Sequence, residues 1–103
     1  MIALIERSRA KIEQVCKRFN VSRLEVFGSA IDGDFDDARS DIDFLVEFAP
    51  HQDLGPWLAH YFDLKNELEK LLGRKVDLVM PKAIRSPYFL REVNRTRTPL
   101  YAA

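Results

Sequence analysis

The chain of 103 residues carries 16 Lys plus Arg against 16 Asp plus Glu, so its formal net charge is zero, and 47% of it is hydrophobic. That length fits one domain spanning 1–103, and the composition is far from the polar, highly charged make-up of a disordered chain. The longest aliphatic run, residues 2–5, falls well short of the roughly 20 apolar residues of a membrane span, and Glu6 and Arg7 interrupt any signal-peptide core, so no membrane association and a cytoplasmic location are expected.

Ile5, Ile12, Val15, Cys16 and Phe19 recur at helical spacing among Arg7, Arg9, Lys11, Lys17 and Arg18, which predicts an amphipathic helix over 2–19 with Asn20 as its stop. Cys16 is the single cysteine, so it has no disulfide partner, cannot seed a thiolate zinc site and reads as a small core residue. Residues 23–27 alternate as a short strand and run into a tight turn at Gly28 and Ser29. The stretch 30–40 lacks periodicity and reads as a loop. It opens an anionic block, since 32–53 holds eight acids against one base, Arg39, whereas 1–23 holds six bases against two acids and 82–103 five against one. Residues 41–48 follow as a strand, with Ile42, Phe44, Val46 and Phe48 on one face.

A second helix is predicted from Pro56, traced by Trp57, Tyr61, Leu64, Leu68, Leu71 and Leu72 and ended by Gly73. A third strand covers 75–80. Ser86 and Pro87 then form an N-cap and first-turn proline for a short helix over 88–94. The order of helix, strand, strand, helix, strand, helix predicts an α/β fold: a small mixed β-sheet with helices packed on one face.

Chemistry-bearing residues concentrate on the strands. Asp41 and Asp43 are two residues apart, so both carboxylates point to one face, roughly 7 Å apart along the strand. The apolar residues of the other face lock that orientation, and rigid oxygen pairs suit Mg²⁺, which takes one or two protein carboxylates plus phosphate and water oxygens. Asp77 is the single charge within the run 76–80 and becomes the third carboxylate if its strand lies beside 41–48. Gly28 and Ser29 stand directly after a strand, where glycine admits a phosphate close to the backbone and the hydroxyl and nearby amides can hydrogen-bond its oxygens.

Rival motifs are absent. The chain has neither a Gly-Lys-Ser/Thr P-loop nor a Gly-x-Gly-x-x-Gly dinucleotide turn. Asp32, Asp34 and Asp36 have the opening spacing of an EF-hand, but Asp37 stands where its glycine belongs and the flanks are strands. His51 and His60 lack further ligands and read as surface residues, and with no basic stripe interleaved with aromatics, Arg91, Arg95 and Arg97 read as a solvated helix face rather than a nucleic-acid interface.

In combination, Gly28-Ser29, Asp41-x-Asp43 and the later Asp77, in this order on strands, resemble the minimal nucleotidyltransferases of the DNA polymerase beta superfamily over nearly the whole chain. The resemblance implies a polymerase-beta-like fold in which Asp41, Asp43 and Asp77 are the catalytic residues. They would bind two Mg²⁺ ions, with Asp77 also activating the attacking hydroxyl, and Gly28 and Ser29 would hold the phosphates of ATP. It further implies a partner: the chain resembles antitoxins that add AMP to a tyrosine of an RNA-cleaving HEPN toxin. Larger polymerases of the superfamily use added domains to hold nucleic acid, so a processive polymerase is not expected. Where family members often carry Arg-Gly after the turn, this chain has Asp32-Gly33, a negative charge expected to repel triphosphate. The competing reading is a catalytically inactive module of the same fold that neutralises its partner by binding alone.

Overall fold

The computed structural model describes residues 1–33, 35–36, 39–50 and 57–103. His51, Asp34, Asp37 and the Trp57 side chain lie outside the described residues. The chain runs α1 (Ala3–Arg7), α2 (Arg9–Arg18), β1 (Val21–Phe27), α3 (Ser29–Asp32), β2 (Ile42–Phe48), α4 (Trp57–Leu72), β3 (Val76–Val79), a 3₁₀ turn (Pro81–Ala83), α5 (Pro87–Thr96) and β4 (Thr98–Ala102). The four strands lie in the order β3-β2-β1-β4; β1 is antiparallel to β2 and β4, whereas β2 and β3 are parallel. The sheet is therefore mixed, as expected.

Alternation divides the sheet into two faces. Leu24, Val26, Ile42, Phe44, Val46, Val76 and Leu78 point to one side and form the main core with Ile5, Ile12, Val15 and Cys16 of α1 and α2 and Leu64, Leu68 and Leu72 of α4. This is the helix-covered face that the periodicity predicts. Burial pushes the Cys16 thiol up to about 12, with Glu13 adding to the effect, so the cysteine is an inert core group. The other face carries Glu25, Phe27, Asp43, Leu45, Asp77 and Val79. It is not bare: Val93 of α5 packs on Phe27 and Leu45 there, with Val79 and Ile84 at the edge of the cluster. Among the described residues, α1, α2 and α4 thus cover one face, and α5 packs on the second.

Local chemistry explains the boundaries. The predicted helix over 2–19 is kinked into two at Ser8, whose amide is shared between the carbonyls of Leu4 and Ile5, both at 3.2 Å. Asn20 ends α2 with a φ of 57°, the left-handed conformation that asparagine tolerates better than most residues. Ser86 caps α5, its Oγ accepting from the Phe89 amide at 3.3 Å, with Pro87 in the first turn as predicted. Residues 98–102, not foreseen as a strand, join the outer side of β1. Pro99 cannot donate a ladder hydrogen bond, which suits an edge position.

The turn from α5 to β4 is fixed by Arg97, whose Nε donates to Glu25 Oε2 at 2.6 Å. The Glu25 side chain is only 8% exposed. Removing the guanidinium leaves a carboxylate inside the fold without its partner, so Arg97→Ala is expected to lower stability by about 2 kcal/mol, measured by urea denaturation with Lys17→Ala as the exposed control.

Candidate active site

Parallel pairing of β2 with β3 sets Asp43 directly beside Asp77, and antiparallel pairing with β1 sets Phe27 on the other side of Asp43. The three predicted carboxylates are accordingly brought together at one end of the sheet: Asp43 at the centre, Asp77 on the neighbouring strand and Asp41 two residues before Asp43. Their mutual effect is direct. Burial, then the charges of Asp77 and Asp41, then a hydrogen bond with Asp77 push the Asp43 carboxyl from an ordinary 3.8 up to about 6.

Flanking contacts hold this end of the sheet. Ser40 Oγ bonds the Asp36 amide at 2.9 Å, and the Ser40 amide returns to the Asp36 carbonyl at 2.8 Å, which fixes the entry to Asp41. On the β3 side, Glu69 of α4 accepts from the Val76 amide at 3.0 Å, and the Tyr61 hydroxyl donates to the Leu78 carbonyl, so both backbone neighbours of Asp77 are anchored by α4. Burial and the charge of Asp77 raise the Tyr61 hydroxyl above its ordinary range.

Gly28 closes the third side. It has φ 77° and ψ −145°, a conformation open essentially to glycine alone, and a Cβ placed there would lie 2.7 Å from Asp43 Oδ2. The backbone therefore reaches the carboxylate only because residue 28 has no side chain. The Gly28 amide donates to Thr96 Oγ1 at 2.8 Å and its carbonyl accepts from Ile31 at 2.9 Å. With that amide engaged, the half-buried Ser29 side chain, at the start of α3, is the turn's remaining sequence-predicted phosphate contact.

The donor set fits a hard divalent cation: Asp43 and Asp77 lie on paired strands and Asp41 immediately before β2, which starts at Ile42 rather than at 41, and positive charge would relieve the repulsion between them. Among the described residues no three His, Cys, Asp or Glu side chains close around one point. The arrangement is a pair of touching carboxylates with a third in electrostatic range, to be completed by substrate oxygens. The groove between α2 and α4, about 330 Å³ and lined by Lys11, Arg18, Glu67 and Lys70, lies on the opposite side of the sheet and is spanned by an Arg18–Glu67 ion pair of 2.8 Å.

The family-level comparison agrees with this geometry. Residues 9–98 match the family described as nucleotidyltransferase domain. The chain belongs to the nucleotidyltransferase family. Among relatives of the transferase, the protein adenylyltransferase MntA of Thermococcus cleftensis is 38% identical over 74 residues, which make up 72% of this chain and 70% of that protein. A solved structure described provisionally as a minimal nucleotidyltransferase superposes with a TM-score of 0.74 at 32% identity, covering 96% of this chain and 97% of the other. The fold also matches a chain of the complex between a tri-AMPylated Shewanella oneidensis HEPN toxin and its MNT antitoxin, at a TM-score of 0.63 and 22% identity over 95% of this chain and 72% of that one.

Two expectations about charge change. Asp32, expected to face the triphosphate as a bare negative charge, is paired with Arg95 Nη2 at 3.2 Å, so its repulsion is partly cancelled within the protein. Of the bases expected to form a solvated helix face, Arg91 and Arg95 are exposed as expected, but Arg95 also pairs with Asp32, and the half-buried Arg97 pairs with Glu25. His60 is half-buried rather than on the surface, its Nε2 2.7 Å from the Phe19 carbonyl and its ring against Phe19 and Phe48. Thr96 carries no signal in the sequence, because a lone threonine near a helix end has no local signature of a contact 68 residues away.

Two outcomes follow from this geometry. Gly28→Ala should cost on the order of 1–3 kcal/mol from backbone strain, and should weaken metal-dependent nucleotide binding beyond that loss by displacing Asp43; denaturant melts and calorimetry read the two effects separately. The raised Asp43 also makes stability depend on pH. A carboxyl that holds its proton more tightly folded than unfolded contributes stability fully below 3.8, and that contribution disappears as pH rises through about 6. In chelator, the melting temperature of the metal-free protein should rise on acidification from pH 7.5 to 5.5, and Asp43→Asn should flatten the rise.

Proposed function

We propose that the protein transfers AMP from ATP to a hydroxyl, the acceptor being a tyrosine of a HEPN toxin, and thereby acts as an antitoxin in the cytoplasm. The observation that carries this reading is the contact of Asp43 with Asp77 beside the Gly28 turn, with Asp41 in electrostatic range. The adenylyl group and the HEPN partner are supported by the relative named a protein adenylyltransferase and by the fold shared with the HEPN–MNT complex.

Asp41, Asp43 and Asp77 would hold Mg²⁺, two ions per site. When bound, the metal supplies positive charge to the phosphate oxygens and lowers the pKa of the attacking hydroxyl. The protein's own contribution is placement. Asp43 is fixed between Gly28 and Asp77, so its oxygens cannot swing away from the reaction centre. Ser29 bonds the triphosphate and orients its α-phosphorus towards the carboxylates. Asp77, on the edge strand and more exposed than Asp43, receives the acceptor's proton. The acceptor oxygen forms a bond to the α-phosphorus as the bond from that phosphorus to the pyrophosphate oxygen breaks, and pyrophosphate departs.

The distinguishing experiment separates transfer from mere binding. With a HEPN protein encoded beside this chain, ATP and Mg²⁺, intact-mass spectrometry should show the partner gaining one or more AMP units. Asp77→Asn should reduce the rate at least about 100-fold, the lower range for loss of a proton-transfer group, while the complex still co-elutes. Neutralisation of the toxin by an Asp41, Asp43 and Asp77 triple-Asn variant as complete as by the parent protein would instead identify a binding module.

A further inference from the structure

Three successive residues at the end of α5 each reach the segment around the glycine turn. Arg95 pairs with Asp32 at 3.2 Å, Thr96 Oγ1 accepts from the Gly28 amide at 2.8 Å, and Arg97 Nε donates to Glu25 at 2.6 Å. The two ion pairs thus bracket the turn, one before Gly28 and one after it, and Thr96 bonds the glycine itself. Thr96 is 4% exposed. Its hydroxyl hydrogen is directed back along the helix to the Glu92 carbonyl at 3.1 Å, which leaves an oxygen lone pair for Gly28. Gly28 in turn stands so close to Asp43 Oδ2 that no side chain fits between them.

We infer that Thr96 is a positioning residue for nucleotidyl transfer: it holds the Gly28–Ser29 turn against the Asp43 carboxylate and so presets the distance between the phosphate contact and the carboxylates. This rests on the proposed function for what the turn binds, but the hydrogen bond is a property of the ligand-free protein. Without the hydroxyl, the glycine loses the contact that fixes its amide, and the turn can rotate towards more populated backbone angles. Nucleotide binding would then include the work of restoring the turn. Thr96, 4% exposed and with its hydroxyl engaged by Glu92 and Gly28, acts through the glycine.

Thr96→Val keeps the shape and removes the hydroxyl; Thr96→Ser keeps the hydroxyl and removes the methyl group. Two readouts apply to both variants: amide hydrogen exchange at Gly28 in the ligand-free protein, followed by NMR, and affinity for a non-hydrolysable ATP analogue with Mg²⁺, measured by calorimetry. Thr96→Val should exchange Gly28 at least about ten-fold faster and bind the analogue roughly five- to ten-fold more weakly, the scale of one hydrogen bond. Thr96→Ser should restore both towards the parent. Unchanged exchange at Gly28 in Thr96→Val, or faster exchange with parental affinity, overturns the positioning role. A Thr96→Ser variant as weak as Thr96→Val overturns it also, because the methyl group rather than the hydroxyl would then be responsible. A parent protein that binds no analogue counts against the proposed function instead, while the exchange comparison still decides whether Thr96 fixes the turn.

Discussion

The placement of Asp43 opposite Asp77 across a parallel strand pair is the constraint to which the rest of the site is fitted. Two carboxylates side by side repel, and burial of one of them makes the repulsion worse. A sheet tolerates such a pair only if something else fixes the register of the two strands. Here the opposite face does so. Ile42, Phe44, Val76 and Leu78 alternate with the two aspartates and are locked into the core by α2 and α4. Sliding either strand by one residue would bury a carboxylate among leucines, so the hydrophobic face enforces the electrostatically unfavourable one.

The third wall of the site depends on a different kind of contact. The apolar anchorage of α5 is small: Val93 is buried and the Phe89 ring meets Phe27 edge-on, whereas Tyr88 and Leu90 are exposed. What ties its C-terminal end down is polar, through Arg95, Thr96 and Arg97. Polar contacts of this kind add modest stability but specify orientation closely, because a hydrogen bond has a narrow range of distance and angle. The edge strand β4 follows immediately and pairs with β1, so the same turn that holds the glycine also begins the last strand. Stability and alignment of the glycine turn are therefore coupled through a few residues.

Legibility in the sequence followed the range of the interactions. Strand β2 was readable because its period of two is local, and α4 because its apolar stripe and Gly73 are local. The carboxylates were readable as a set because alternation fixes their faces and only one further fact was needed, that the strands adjoin. Residues 98–102 carry a proline and an alanine and gain strand character only from β1, which local propensity cannot report. The short α3 was hidden in the acidic stretch, because four residues give no helical period. The pairing of Asp32 with Arg95 and of Glu25 with Arg97 joins residues 63 and 72 positions apart, so each charge looked solvated when read alone.

Those pairings also explain how a chain with no net charge keeps a strongly anionic centre. Among the described residues, the ion pairs that touch this region engage Asp32 and Glu25, the acids on either side of the glycine turn, and not the acids at the middle. A protein arginine placed on Asp43 would relieve its repulsion from Asp77, but on the proposed function it would also stand where the substrate phosphates bind. With neighbouring acids compensated internally and the central ones facing each other, the centre keeps a negative charge of the kind that attracts a divalent cation. The bases at the end of α5 thus act on the site from beside it: they lower the repulsion around the turn and hold its geometry without neutralising the central carboxylates.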